Sequence, residues 1–443
     1  MAQKQNLSEI AKDPRLHDLR QTQLQVAMGI ESGSDALRGT LAGNTDDLSP
    51  STLIDISLND PFVPAKLEKA LSPRSQRVSG PQGNVEPLTL IRDPAAWTVA
   101  DWAGKDDWIY QLTDQDLAEL DAAVTEAQAR GIRQTGNAYH VQEVVKSQAD
   151  FPLPTLGPKL VAIRENVRIG RGFQLIRGVP VDRLTRQQVM IVYWGMGLYW
   201  GNTNMQNAKQ HIIGHIKDLR QTVNSTTRVY TTNLAQPFHN DISDIVGLLC
   251  LQKAPKGGLS SWSSSLQVVN EMLLRGRQDL VQELAGPNWY LDRKGEIPEG
   301  EKPYFRLPIL NYHKGYLSIN YSATYYELAQ RHPDVPRMTP KQKEAVRWFN
   351  ALAKSDELRM DGDLQPGDIQ LLQNHGILHM RTAFEDALEE DQRRHLLRLW
   401  ISPPNDRELP EVYRPLWGSI TPGQRGGIWG FEDVPPTIPL EAE

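Results

Sequence analysis

The segment QPFHNDISDIVGLL carries His239 and Asp241, an imidazole and a carboxylate two positions apart. Side chains alternate along an extended backbone, so an i, i+2 pair projects to one face and can share a metal ion. Such a pair also arises in solvated loops, so it gains weight only with support from elsewhere in the chain. That support comes from LLQNHGILHMRTAFEDALEEDQRRHLLRLWIS. His375 and His379 both follow an apolar, strand-like run there, and either stands where a third ligand could come from. Farther on, Arg394, Leu396, Arg398 and Trp400 alternate, which on a strand points all four the same way. Guanidinium groups on an inward face need an anion, because an unpaired buried charge costs several kcal/mol. A bound dicarboxylate would supply it.

These residues need a scaffold, and the sequence predicts one of α+β class. Thr113 and Asp116 make a capping box before LAELDAAVTEAQA, with Gly131 where the helix would stop. Thr185 and Gln188 cap a second helix through QVMIVYWGMGLYW, and Thr339, Pro340 and Gln342 open a third, KEAVRWFNALAK. The run GFQLIRGVPVD at 172–182 reads as a strand entering a turn. From about residue 210, RVYTTN, DIVGLLCLQ, GYLSINYS, DIQLLQN and HLLRLWIS read as short strands. Turn chemistry at 256–258 and 365–368 separates several of them, as in a β-sandwich or barrel. The expected organisation is an irregular N-terminal extension over 1–90, then one domain over 91–443 with a helical insert around 320–360.

Composition narrows the class. Apolar residues at 39% and charged residues at 23% match ordinary globular usage, which excludes a disordered or fibrous chain. With a formal charge of -6 and scattered Lys and Arg, no nucleic-acid partner is expected. No apolar run approaches the roughly 20 residues that span a bilayer, and MAQKQNLSEIAKDPRLHDLRQ lacks the apolar centre of a signal peptide. No membrane association and a cytoplasmic location are the expectations. The single cysteine, Cys250, excludes an intramolecular disulfide and any multi-cysteine metal site. Within IVGLLCLQ it reads as a small buried hydrophobe.

Taken together, the His-x-Asp, the distant histidine and the arginine after it resemble the pattern of the taurine dioxygenase/TfdA family of 2-oxoglutarate-dependent oxygenases. The resemblance covers roughly residues 165–405 and includes GGLSSW, LHMRTAFED and RRHLLRLW. It implies a double-stranded β-helix, or jelly-roll, core flanked by helices. It implies Fe(II) held by His239, Asp241 and His379, the last favoured over His375 by the MRTAFED that follows. Two imidazoles and one carboxylate leave three coordination positions for a keto acid and O2, which suits non-haem iron(II). It further implies 2-oxoglutarate gripped by Arg394, with Ser260 on the same carboxylate and Arg398 on its other carboxylate or on substrate. The implied activity is hydroxylation of a C–H bond in a small-molecule substrate, with release of succinate and CO2. Asn240 where Thr is frequent, and Met380 in LHMR where LHGR is usual, depart from the common pattern. Neither removes a ligand. The presence of Asp241 disfavours halogenation.

Other residues have alternative readings. Asn204 and Gln206, in the aromatic-rich stretch after YWGMGLYW, and Tyr321 in SINYSATYY are candidate polar substrate contacts. His211 and His215 stand at i, i+4, but no HExxH glutamate accompanies them, so a zinc protease is excluded. A catalytically silent, cupin-like metal-binding scaffold or sensor is the alternative to an enzyme. The arginine pair argues against it, because a mere metal binder has no use for a dicarboxylate clamp.

Overall fold

In the computed structural model of the protein, residues 85–443 are described. The expected N-terminal extension lies, up to residue 84, outside them. The first three helices of the domain are α1 (Asp114–Ala129), α2 (Leu156–Ile169) and α3 (Arg186–Trp200), and α1 and α3 start at the expected capping signals Thr113 and Thr185. The Thr113 hydroxyl accepts the Asp116 backbone N–H and the Thr185 hydroxyl accepts that of Gln188, each with its reciprocal side-chain bond. These bonds satisfy amides that the first helical turn leaves open.

The site is carried by eleven strands. In chain order they are β1 (Ile109–Gln111), β2 (Phe173–Arg177), β3 (Asn202–Thr203), β4 (Ile213–Ile216), β5 (Gln236–His239) and β6 (Ile245–Gln252). Then come β7 (Ser260–Ser264), β8 (Arg359–Gly362), β9 (Ile369–Gln373), β10 (Ile377–Arg381) and β11 (His395–Ser402). A seven-stranded sheet runs β1-β2-β9-β6-β11-β3, with β4 also pairing β11. A four-stranded sheet runs β8-β7-β10-β5. All pairs are antiparallel except β1 with β2. Consecutive strands such as β9 and β10 lie in different sheets, so the chain crosses repeatedly between the layers.

One core fills the space between the sheets. Phe173, Val246, Leu396 and Trp400 from the large sheet meet Phe238, Trp262 and Leu378 from the small one. Phe173 sits 5.7 Å from Trp262 and 5.1 Å from Trp97 and Trp102, ring centre to ring centre. Full burial of each such side chain stabilises by about 1.5–3 kcal/mol. The outer face of the large sheet supplies Leu397, Leu399 and Ile401 to a second core under α1, α2 and α3. This explains why HLLRLWIS is apolar at nearly every position: both faces of β11 are covered. Cys250 is buried.

Between β7 and β8 the chain forms α4 (Ser265–Leu274), α5 (Gln278–Ala285), α6 (Ala323–Ala329) and α7 (Pro340–Lys354), together with two hairpins. GYLSINYS contributes Tyr316–Ile319 to one of these hairpins, outside both main sheets. Mixed sheets with packed helices make the molecule α+β. One expected strand is absent: RVYTTN forms a 3-10 turn at Val229–Thr231. The Thr231 and Thr232 hydroxyls donate back to the carbonyls of Arg228 and Val229, both at 2.8 Å, which curls the backbone away from an extended path.

Candidate metal centre and the cavities beside it

Strand pairing brings the distant residues together. His379 on β10 lies directly opposite His239, the last residue of β5. Asp241 follows in the connection from β5 to β6, where the chain passes from the small sheet to the large one. The side chain of Asn240 fixes that connection. Its amide donates to the carbonyls of Asn374 (2.7 Å) and Ile377 (2.9 Å), and its oxygen accepts the Tyr321 backbone N–H at 3.0 Å. A threonine could not span all three contacts, which accounts for Asn at this position. Asn374 also accepts the Asp241 backbone N–H at 3.1 Å.

The candidate ligand atoms of His239, Asp241 and His379 lie within 4.8 Å of one another. The two imidazole Nε2 atoms each stand 3.7 Å from the Asp241 carboxylate. His239 Nδ1 faces the Pro237 carbonyl at 2.9 Å, which favours the tautomer with its proton there and the lone pair on Nε2. Burial, then the neighbouring His239, push the His379 pKa down to about 3, so this imidazole keeps a free lone pair at neutral pH. Burial alone would raise the Asp241 carboxyl. The Arg398 guanidinium, then His239 and His379, instead hold it well below the usual range. A carboxylate and two imidazoles are a donor set fit for a divalent metal.

A cavity of about 430 Å3 runs from the triad towards Arg394 and is lined by Ser260, Met380 and Leu396 among others. Arg394 and Arg381 both reach it, and both are buried. Arg394 Nη2 has only a long 3.4 Å contact to the Gly258 carbonyl, and Nη1 has no partner. Arg381 bonds the carbonyls of Thr232 and Leu234 through Nη2, while its Nε and Nη1 are unpartnered. Burial lowers the Arg394 pKa to about 10; burial and then Arg394 lower that of Arg381. Two desolvated guanidinium groups without a carboxylate between them form a receptor for a small diacid. Gly258 makes room: a Cβ there would lie 2.7 Å from Arg394 Nε. Arg381 escaped the sequence reading, although its i, i+2 spacing from His379 on one strand was a usable signal.

The other candidates fall out as follows. Arg398 donates from Nη1 to both Asp241 oxygens at 3.3 Å and from Nε to Gln206 at 2.7 Å. Arg398 also lines both cavities beside the triad, next to its ion pair with Asp241. Gln206 lines a larger cavity of about 860 Å3 that also touches His239 and Asp241, but its amide is committed to Arg398 and the Ile212 carbonyl. Asn204 stands apart from the triad's cavities. It lines neither cavity and donates to the Arg425 carbonyl at 2.8 Å. Tyr321 lines the larger cavity with its hydroxyl unpartnered. His375 bonds Asp244 at 2.7 Å, away from the triad, while His215 pairs with His395 at the same distance.

Residues 134–400 match the family described as taurine catabolism dioxygenase TauD, TfdA family. FR-33289 synthase of Streptomyces rubellomurinus is 31% identical over 326 residues, 71% of this chain and 91% of that protein. A taurine hydroxylase-like protein of Stachybotrys chartarum is 31% identical over 342 residues, 73% and 85% of the two chains. The solved structure of an asparagine oxygenase with Fe(II), 3-hydroxyasparagine and succinate superposes with a TM-score of 0.50 at 16% identity. The match covers 66% of this chain and 93% of that one and shows a shared fold. Among the described residues no helix is long and apolar enough to cross a membrane. The chain belongs to the TauD/TfdA family and is a 2-oxoglutarate-dependent non-haem iron(II) dioxygenase that consumes O2.

Proposed function

We propose that this protein hydroxylates a C–H bond of a small-molecule substrate, with His239, Asp241 and His379 holding the iron inside a jelly-roll core formed by the two sheets. With iron(II) bound, the site supplies the family's net reaction, in which R–H, 2-oxoglutarate and O2 become R–OH, succinate and CO2. Each of the chain's own residues has a part. The paired strands β5 and β10 hold the two imidazoles, and the Asn240 contacts fix Asp241 against them. Arg394 and Arg381 receive the far carboxylate of 2-oxoglutarate, with Ser260 beside them, so the keto end reaches the triad. Arg398 and Trp400 orient the Asp241 carboxylate. The larger cavity receives the substrate and excludes water from the reacting centre.

The observation that carries this reading is the pair of buried guanidinium groups, each with unpartnered N–H groups and no carboxylate in ion-pair contact, one cavity's length from a His/Asp/His cluster. A scaffold or sensor would bury those charges for no return. The test is aerobic incubation with iron(II) and 2-oxoglutarate, measuring succinate. Slow substrate-free release is expected from the native chain and none from His379→Ala or Arg394→Ala. Equal release from all three would overturn the assignment.

A further inference from the structure

Gln236 stands beside the candidate metal ligands without being one of them, and the pairing of β5 with β10 puts it there. Residues three apart on a regular strand point to opposite faces, so Gln236 and His239 would be expected to turn away from each other. Along β10, however, His379 lies opposite His239 and Arg381 lies opposite Gln236, so three steps on β5 are matched to two on β10. The surplus residue makes a β-bulge, which re-aims the side chains around it. Pro237 sits in that stretch and has no N–H to lose from the ladder. Gln236 and His239 therefore turn to the same side.

The result is a direct contact. The Gln236 amide nitrogen lies 2.8 Å from His239 Nε2. Nδ1 of the same ring donates to the Pro237 carbonyl at 2.9 Å, so Nε2 carries the lone pair and the amide N–H donates to it. This is the nitrogen that the triad offers to a metal. One lone pair cannot serve an N–H and a metal ion together, so the amide has to leave Nε2 when the triad is loaded. Four side chains line both cavities, Gln236, His239, Asp241 and Arg398. Of these, Gln236 alone is neither a candidate ligand nor ion-paired with one. Its cross-strand partner Arg381 also lines the smaller cavity. An amide released from His239 thus stands between the triad and the diacid receptor.

We infer that Gln236 has two successive partners: its amide holds His239 Nε2 in the metal-free protein, gives way on loading, and then donates to the carboxylate that 2-oxoglutarate turns towards the triad. This rests on the reading of the triad as the iron centre and of the smaller cavity as the keto-acid site. It also makes the order of loading a property of the chain. Iron(II) has to displace one hydrogen bond, and the donor so freed favours the diacid that follows.

Two anaerobic titrations of the full chain test this. Iron(II) is added to the metal-free protein and read by intrinsic tryptophan fluorescence; 2-oxoglutarate is added to the iron(II)-loaded protein and read by the visible charge-transfer band. Gln236→Leu removes the donor and should act in opposite directions, with iron(II) about fivefold tighter and 2-oxoglutarate about tenfold weaker. Gln236→Glu adds an anionic oxygen beside the metal and meets the diacid with like charge. Iron(II) should then tighten, and 2-oxoglutarate weaken, beyond the leucine variant. A merely structural role would loosen both together. Unchanged affinities in Gln236→Leu, or both ligands weakened, would overturn the inference. A native chain that gives no band would instead fail the oxygenase reading, so the two failures are told apart.

Discussion

Asp241 and Arg398 face each other at 3.3 Å inside the molecule, and the Trp400 indole N–H donates to the same carboxylate at 2.9 Å. Asp241 is therefore counter-ion to a buried cation as well as a candidate iron ligand. Asp241→Ala should abolish iron binding and also destabilise the fold by about 3–5 kcal/mol, because Arg398 is left buried and unpaired. In Asp241→Ala/Arg398→Met the cation is gone, so most of the stability should return while iron binding does not. Urea unfolding and iron titration of both variants check this. A double variant as unstable as the single one would contradict it.

Arg394 and Arg381 reverse that logic, because each has unpartnered guanidinium N–H groups and no carboxylate in ion-pair contact among the described residues. Arg394→Met should weaken 2-oxoglutarate by about 2–4 kcal/mol through loss of a charge-assisted contact in a desolvated site. Without 2-oxoglutarate the same change removes a poorly matched buried charge, so the melting temperature of the ligand-free protein should rise. Calorimetry with and without the keto acid measures both. A fall in ligand-free stability would mean that Arg394 is a structural residue.

The C-terminal segment reaches back to the connection that carries Asp241. Arg425, fully buried, donates from Nη2 to Asp244 at 2.8 Å and from Nε at 3.0 Å, three residues beyond Asp241. Arg425→Met should cost about 3–5 kcal/mol by stranding Asp244. Arg425→Lys should recover less than half, since an ammonium cannot reproduce a planar pair of donors. Chemical denaturation of the two variants decides this; full recovery by lysine would reduce the contact to simple charge pairing.

The buried pair His215 and His395 should make the fold acid-sensitive. Burial lowers the His215 pKa from 6.5 to about 4. The folded value lies below the unfolded one, so the unfolded chain takes up the proton first. Stability is then complete above pH 6.5 and declines towards pH 4, by roughly 3 kcal/mol for this residue. His215→Phe should flatten the dependence of unfolding free energy on pH across that window. An unchanged slope would remove His215 from the account.

Local signals were read well from sequence where local chemistry decides. Capping boxes at Thr113, Thr185 and Thr339 mark real helix starts, and the alternation through Arg394–Trp400 puts Leu396 and Trp400 on one face and Leu397 and Leu399 on the other. Partner choice was not readable in the same way. Nothing in the sequence near Arg398 says that its charge is matched by Asp241, or near Asn204 that it holds the Arg425 carbonyl. Those pairings join β11 to the connection between β5 and β6, and the residue after β3 to a C-terminal segment, and these meet only in three dimensions. Val229–Thr231 failed for a different reason: β-type residues were read as a strand, but threonine hydroxyls closed a local turn.

The central claim is that His239, Asp241 and His379 hold iron(II) while Arg394 anchors the diacid beside it. Anaerobic titration of 2-oxoglutarate into the iron(II)-loaded chain tests it most directly, by following the weak visible metal-to-ligand charge-transfer band. The band should grow saturably with 2-oxoglutarate, vanish in His379→Ala, and need far higher keto acid in Arg394→Met. A band of unchanged strength in His379→Ala, or none in the native chain, would contradict the account.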